Sequence, residues 1–157
     1  MRWNQGRPEL ERMLEHHELV TTVADRAAAL GLIAEAHGHL TCVPDALASD
    51  PVRAFEHDYA AAAAAFHAVL VNQGLRAAAD PDPDEAVYLA VRAQLAPPLG
   101  SVVKPFAAMR YRLWQARQPD AEVPVVTEAE VRENHEQAAT IVDVSSRVLD
   151  QMDPFLP

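Results

Sequence analysis

The sequence predicts an all-α protein, an up-and-down bundle of four main helices with a short N-terminal helix, in which residues 1–157 form one domain. Half of the residues are hydrophobic and only five are glycine, so the chain can bury a substantial core. Alanine is abundant, and β-branched residues occur in short clusters rather than in the alternating runs typical of strands. Apolar residues also recur at helical spacing between recognisable helix starts and ends.

The strongest helical signals lie between residues 51 and 73. Asp50 followed by Pro51 is typical of a helix start, and Gly74 is typical of a helix end. Aromatic and aliphatic residues follow a helical period between them, and a run of six alanines would let a neighbouring helix approach closely. We therefore expect this helix to be central.

Further helices are predicted on either side of the central one. Their expected ranges are 8–17, 24–48, 84–95, 101–118 and 127–152. Pro44 should kink or break the second of these. Its inward face is expected to contain Ala27, Leu30, Ala34 and Ala36, with Leu40 further on. Thr127 and Glu130 have the spacing of a capping box and should begin the last helix.

The helix predicted over residues 101–118 has an apolar stripe. Val102, Phe106, Met109 and Leu113 recur at helical spacing and are expected to face the core. Trp114 has no place in that stripe and is expected at the surface, where an aromatic side chain can anchor an interface.

Charge and composition exclude several classes of protein. The formal net charge is −10, so most of the surface should repel nucleic acid and anionic membranes. The N-terminal segment MRWNQGRPELER lacks the apolar region of a signal peptide, and no apolar stretch approaches the ~20 residues that a membrane span needs. A cytoplasmic protein with no membrane partner is expected. The single cysteine, Cys42, cannot form an intrachain disulfide and is expected to be a buried, inert thiol.

The patterns of the common catalytic and cofactor sites are absent. Metal sites in helical bundles use Glu-x-x-His or histidines one turn apart, and none of the seven histidines has that spacing. We therefore interpret the histidines as solvated side chains on polar helix faces. No glycine-rich nucleotide loop or nucleophile elbow occurs either. We therefore expect neither a metal nor a cofactor.

One segment differs in charge from the rest of the acidic chain. Residues 97–118 contain no acidic side chain but include Lys104, Arg110, Arg112 and Arg117. Arg110 and Arg117 are two helical turns apart and share a face with Trp114. Arginines interleaved with aromatics can hold phosphates and stack on bases, so Arg110, Trp114 and Arg117 are candidate RNA-binding residues. The alternative is an ordinary surface helix whose arginines pair with acidic neighbours.

Several short motifs match a known family. They include Ser49-Asp50-Pro51, Asn72-Gln73-Gly74-Leu75-Arg76, Pro105-Phe106 followed by Met109-Arg110, and Ile141-Val142-Asp143. On these motifs the chain resembles, from about Ala24 to Met152, the small bacterial HEPN-domain proteins. These helical bundles are common in actinobacteria and in toxin–antitoxin and phage-defence loci. The resemblance implies a homodimer joined near the helix over residues 101–118.

Active members of the HEPN family are metal-independent endoribonucleases. An arginine followed by a polar residue, and a histidine or tyrosine four to six residues later, line a basic cleft at the dimer interface. Aligned from Met109, this chain has Leu113 in place of that arginine, Trp114 in place of the polar residue, and Arg117 and Gln118 in place of a Glu-Tyr pair. Leucine cannot stabilise the charge that develops on phosphorus, and glutamine is a poor acid or base.

Two functions follow from this resemblance. The first is a degenerate, non-catalytic, dimeric interaction module, for which a nucleotidyltransferase-type antitoxin is a candidate partner. The alternative is an active endoribonuclease that acts on RNA through the arginine-rich segment. In that alternative the catalytic candidates are Arg110, Tyr111, Arg112 and Arg117.

Overall fold

The computed structural model describes residues 3–78, 82–118 and 122–156. Seven helices occur within these ranges: α1 (Arg7–Glu15), α2 (Arg26–Ser49), α3 (Pro51–Gln73), α4 (Pro83–Leu95), α5 (Gly100–Val103), α6 (Pro105–Ala116) and α7 (Glu128–Val148). Two short strands, β1 (Leu19–Thr21) and β2 (Leu75–Ala77), form a two-stranded sheet. The all-α prediction is confirmed: three long helices, α2, α3 and α7, pack together, and shorter helices cover the remaining sides of α3.

The central helix α3 begins and ends where the sequence predicts. The Asp50 carboxylate accepts hydrogen bonds from the backbone N–H groups of Val52 at 3.1 Å and Arg53 at 3.3 Å, which caps the helix. Gly74 ends it with a positive φ of 78°, a conformation that costs glycine little. Six alanines of α3 are buried, together with large apolar side chains such as Phe66.

Helix α2 differs from the prediction in two respects. Pro44 lies inside the helix and does not end it; the packing of α2 against α3 along its length outweighs the one backbone hydrogen bond that proline removes. The predicted inward face is wrong for Ala27, Leu30 and Ala34, which are exposed, and right for Ala36, which is buried. The other buried residues of this helix are Ala29, Ile33 and Val43.

The helix predicted over residues 101–118 is interrupted. It forms α5 and α6, with Lys104 between them. Pro105 has no N–H with which to continue the hydrogen-bond ladder from the preceding turn, so it begins a new helix instead. The predicted stripe is confirmed for Phe106, Met109 and Leu113, which are all buried. It is wrong at its start, because Val102 is only partly buried and its neighbour Val103 is buried instead.

The sheet was not predicted. β1 pairs antiparallel with β2, and Leu19 lies opposite Ala77 in the register. Each strand has three residues, too few to show an alternating pattern in the sequence. The sheet ties the segment before α2 to the segment after α3.

The last helix begins as the sequence predicts but ends early. The capping box of Thr127 and Glu130 is present, and α7 ends at Val148, one turn earlier than expected.

Cys42 is exposed, so the expectation of a buried thiol is wrong. The thiol lies on the solvent side of α2. Residues 79–81 and 119–121 fall outside the described ranges. No described helix combines the length and apolar character that crossing a bilayer requires.

Four buried polar side chains of α3 and α4 lie close to the core. Gln73 and Gln94 exchange two amide hydrogen bonds, of 2.6 and 3.1 Å. Asn72 donates to the backbone oxygen of Leu149 at 3.1 Å, which ties α3 to the end of α7. Asp58 is fully buried and is bonded through Oδ1 to Nδ1 of His135, 2.7 Å away. The amides of Gln73, Gln94 and Asn72 therefore have hydrogen-bond partners in one another or in the backbone. Asp58, in contrast, is a buried carboxyl group.

Phe66→Ala should lower the free energy of unfolding by ~3–5 kcal/mol, because the ring is 1% exposed and packs on Phe106 with a centroid distance of 5.0 Å. Urea unfolding followed by circular dichroism measures the loss. Leu30→Ala is the control: Leu30 is 47% exposed, so its truncation should cost far less. Equal losses would place Phe66 outside the core.

Asp58→Asn should change how stability depends on pH. Burial raises the pKa of Asp58 to about 6, although the bond to His135 lowers it in part. A carboxyl whose pKa is higher in the folded state than in the unfolded state stabilises the protein below about pH 4, and this contribution is lost as the pH rises through about 6. The free energy of unfolding of the wild type should therefore fall relative to that of the variant by up to about 3 kcal/mol between about pH 4 and pH 7. Urea titrations at each pH measure the difference, and a constant difference would contradict the raised pKa.

Candidate functional site

Helix α6 places the predicted site residues along one groove. Arg110, Tyr111, Trp114 and Arg117 line a groove of about 510 Å³, since residues three, four and seven apart share one side of a helix. The opposite wall contains Tyr59 from α3 and Asp84 from α4. The structure therefore brings together the three candidate RNA-binding residues and Tyr111. Arg112 does not line this groove.

Two aromatic side chains of α6 lie at the protein surface. Tyr111 is 61% exposed and Trp114 is 58% exposed. Their rings stack with a centroid distance of 6.0 Å and an interplanar angle of 22°. The expectation that Trp114 lies outside the core is confirmed. We call Tyr111 and Trp114 the aromatic pair.

The three arginines of α6 are each paired with an acidic side chain. Arg110 forms an ion pair with Asp82, and Arg117 reaches Oε1 of Glu56 at 3.2 Å through both Nε and Nη2. These pairs are partly exposed, so each contributes at most about 1 kcal/mol. They nevertheless reduce the positive charge along the groove.

Arg112 connects α6 to the start of α7. Its Nε donates to Oε1 of Glu130 at 2.5 Å, and its Nη2 donates to Oε2 of Glu130 at 3.3 Å and to the backbone oxygen of Pro124 at 2.8 Å. Glu130 is also the acid of the α7 capping box. A bidentate pair of this kind fixes geometry. The contacts of Arg112 are therefore those of a structural residue.

Sequence analysis missed a chain of three hydrogen-bonded side chains beside the groove. The Tyr59 hydroxyl donates to Oδ2 of Asp84 at 2.6 Å, and Nε2 of His67 lies 3.2 Å from Oδ1 of the same carboxylate. His67 and Tyr59 are two turns apart on α3, and Asp84 is in the first turn of α4. No sequence motif marks the set, because the carboxylate comes from a different helix.

The hydrogen bonds among these side chains set the protonation states of Asp84 and Tyr59. The bond to His67, with help from that to Tyr59, lowers the pKa of Asp84, although burial opposes the change. Burial and the bond to Asp84 raise the pKa of Tyr59. At neutral pH Asp84 is therefore an ionised acceptor and Tyr59 a protonated donor. Neither group is poised to take up or release a proton in that range.

A second cavity adjoins the groove and shares Tyr59, Asp84 and Arg117 with it. The cavity has a volume of about 740 Å³ and extends between α2 and α3. There Nδ1 of His39 lies 3.1 Å from Nδ1 of His57. Burial, together with the nearby His39 and Arg53, lowers the pKa of His57. The cavity is therefore lined by the imidazoles of His39, His57 and His67 as well as by charged side chains.

The histidines are less solvated than expected. His39, His57, His67 and His135 are each partly buried and each contacts another polar side chain. The interpretation of the histidines as solvated groups is wrong for these four. Over the described parts of the chain, histidine, cysteine and acidic side chains form no group of three or more that could hold a metal ion.

Comparisons with known proteins give no relative. No family model matches the chain, and it has no match among curated proteins or solved structures. Function must therefore be argued from the groove, the aromatic pair and the arginine contacts.

Proposed function

We propose that this chain is a HEPN-like, non-catalytic interaction module that forms a homodimer through α6. The observation that carries the proposal is the aromatic pair, two large stacked rings that an isolated protomer leaves in water. Tyrosine and tryptophan are enriched among the residues that dominate binding energy at protein interfaces. Their position on α6 agrees with the dimerisation helix that the family resemblance implies.

The arginine contacts favour interaction over catalysis. A nuclease of the HEPN type needs an unengaged arginine to stabilise charge on phosphorus. Arg110, Arg112 and Arg117 are engaged instead with Asp82, Glu130 and Glu56. The net charge of −10 also opposes RNA binding over the remaining surface. A toxin–antitoxin or defence setting, with a nucleotidyltransferase-type antitoxin as a further partner, belongs to the same proposal and rests on the resemblance.

One observation favours the alternative function, a metal-independent endoribonuclease. Arg110, Arg117 and Tyr111 line the same groove as Tyr59 and Asp84. An RNA phosphate could compete with Asp82 and Glu56 for the two partly exposed arginines. The Tyr59 hydroxyl has one proton, which it donates to Asp84, so it would have to give up that bond to donate to the phosphate.

Replacing the aromatic pair should dissociate the dimer. Sedimentation velocity of the wild type over about 10–100 micromolar should show a dimer. The double variant Tyr111→Ala/Trp114→Ala should raise Kd by about thirtyfold or more, since truncation of such residues typically costs about 2 kcal/mol or more. Leu30→Ala, which removes an exposed apolar side chain from α2, is the matched control. A wild type that stays monomeric, or a dimer indifferent to the double variant, would refute the proposed interface.

The purified protein should not cleave RNA efficiently without metal. Structured and single-stranded RNAs are incubated with wild type, Arg110→Ala, Arg117→Ala and Tyr59→Phe in the presence of a chelator. Lys104→Ala is the control, because it removes one positive charge just before α6 and outside the groove. Cleavage that falls by ~10²–10³ in either arginine variant but persists in the control would establish the nuclease alternative. Weak binding without cleavage, decreasing as salt rises, agrees with the interaction module.

A further inference from the structure

A second site lies between α2 and α7 and shares no residue with the α6 groove. Its central feature is the contact between Asp58 on α3 and His135 on α7. Asp58 is 0% exposed, its Oδ1 lies 2.7 Å from Nδ1 of His135, and its Oδ2 has no hydrogen-bond partner among the described atoms. Burying a carboxylate away from water is costly. Two polar side chains of α7, His135 and Asn134, face the buried carboxyl group and lower its pKa against the effect of burial. Of these two, Asn134 is buried whereas His135 is partly exposed, so only the contact with His135 leads to the protein surface.

His135 connects this buried acid to a groove. The groove has a volume of about 560 Å³, and His135 forms part of its wall. Most of the remaining wall is apolar and consists of Val43, Pro44, Leu47, Ala48 and Val131. The imidazole is about one-third exposed. Its Nδ1 is occupied by Asp58, and its Nε2 has no hydrogen-bond partner in the described ranges.

The contact with Asp58 sets the tautomer of His135. An ionised carboxylate only accepts hydrogen bonds, so the proton of a neutral imidazole must sit on Nδ1. Nε2 then carries a lone pair and presents a hydrogen-bond acceptor to an otherwise apolar groove. Burial raises the pKa of Asp58 to about 6, which leaves this carboxyl ionised above neutral pH.

The edge of the groove restricts the charge of a ligand. Glu128 and Glu136 line it together with Arg132, and Arg132 forms an ion pair with Glu128. The edge therefore carries a net negative charge, which disfavours anions. A volume of about 560 Å³ falls in the range of small-molecule sites, which are mostly apolar with a few polar groups that fix orientation.

We propose that this groove binds a small neutral hydroxyl compound with an apolar body, such as a phenol, whose hydroxyl donates to Nε2 of His135. Asp58 is a positioning residue that holds the imidazole in the accepting tautomer. This site is independent of the function proposed for α6, because neither its residues nor its test involve that helix.

The tautomer is tested first, by nitrogen-15 NMR of histidine-labelled protein at a pH of about 8.5, well above the usual imidazole pKa. His135, assigned by its loss in His135→Gln, should show a protonated Nδ1 and an unprotonated Nε2. In Asp58→Leu no acceptor remains for Nδ1–H, so the proton should no longer be held on Nδ1. A wild type with its proton on Nε2 would overturn the proposal.

Ligand selection is tested with three compounds that share an ethylphenyl body. The polar group of 4-ethylphenol donates a hydrogen bond, that of 4-ethylanisole cannot donate one, and that of 4-ethylbenzoate carries a negative charge. The methyl signals of Val43, Leu47 and Val131 report binding. The phenol should bind at least about tenfold more tightly than the other two, the effect of one hydrogen bond of ordinary strength. Equal binding of all three, or no saturable shift with the phenol, would overturn the proposal.

Two variants separate the hydrogen bond from the shape of the groove. Asp58→Leu, which leaves Nδ1–H without an acceptor, should reduce the preference for the phenol over the anisole. Should this variant fail to fold, Asp58→Leu/His135→Phe removes both polar groups together and should bind the two compounds equally. His39→Gln, a histidine in the other cavity, should leave the preference intact. A preference that survives loss of His135 would show that this imidazole does not bind the hydroxyl.

Discussion

The close approach of α2 and α7 to α3 depends on alanine. Ala54, Ala61, Ala62, Ala65 and Ala68 are completely buried, and side chains of this size let neighbouring helices lie near the α3 backbone. Larger residues at these positions would push the long helices apart, because a close-packed core has no room for added volume. The larger side chains of α3, among them Phe66, fill the space beneath α4 and α6.

The same helix also supplies a polar residue to each groove. Asp58 and Tyr59 are adjacent in sequence, so their side chains point in directions roughly 100° apart around α3. Asp58 therefore meets His135 on α7, whereas Tyr59 meets Asp84 on α4. One rigid, buried helix thus holds the inner polar group of two separate surface sites. Changes in its rotation or packing would alter both sites at once.

Local signals in the sequence predict where helices begin and end, but they do not predict which faces of the helices make contact. The start and end of α3 follow from Asp50, Pro51 and Gly74, because caps and stops act within a few residues. The buried face of α2 was mispredicted, since this alanine-rich helix has little contrast between its faces. Its neighbour α3 decides which face is buried.

The site was predictable only in part, for a related reason. Helical spacing places Arg110, Trp114 and Arg117 on one side of α6, and it leaves Trp114 outside the core. It does not reveal that Arg117 meets Glu56, sixty-one residues away in sequence, or that Asp84 joins Tyr59 and His67. Such contacts depend on how the helices are arranged, which the period of each helix leaves open. The charge of a segment is therefore a weak guide to the charge of the surface it forms.

The buried polar groups of α3 fall into two kinds, and the contrast bears on function. Gln73 and Gln94 exchange two hydrogen bonds, so the pair needs no further partner and can fix the register of α3 against α4. Asp58 instead has one oxygen bonded to His135 and one without a described partner. A leucine or methionine at this position would avoid the cost of burying a charge. Such a residue could not accept a hydrogen bond from Nδ1 of His135, and so could not hold the imidazole with its free nitrogen toward the groove.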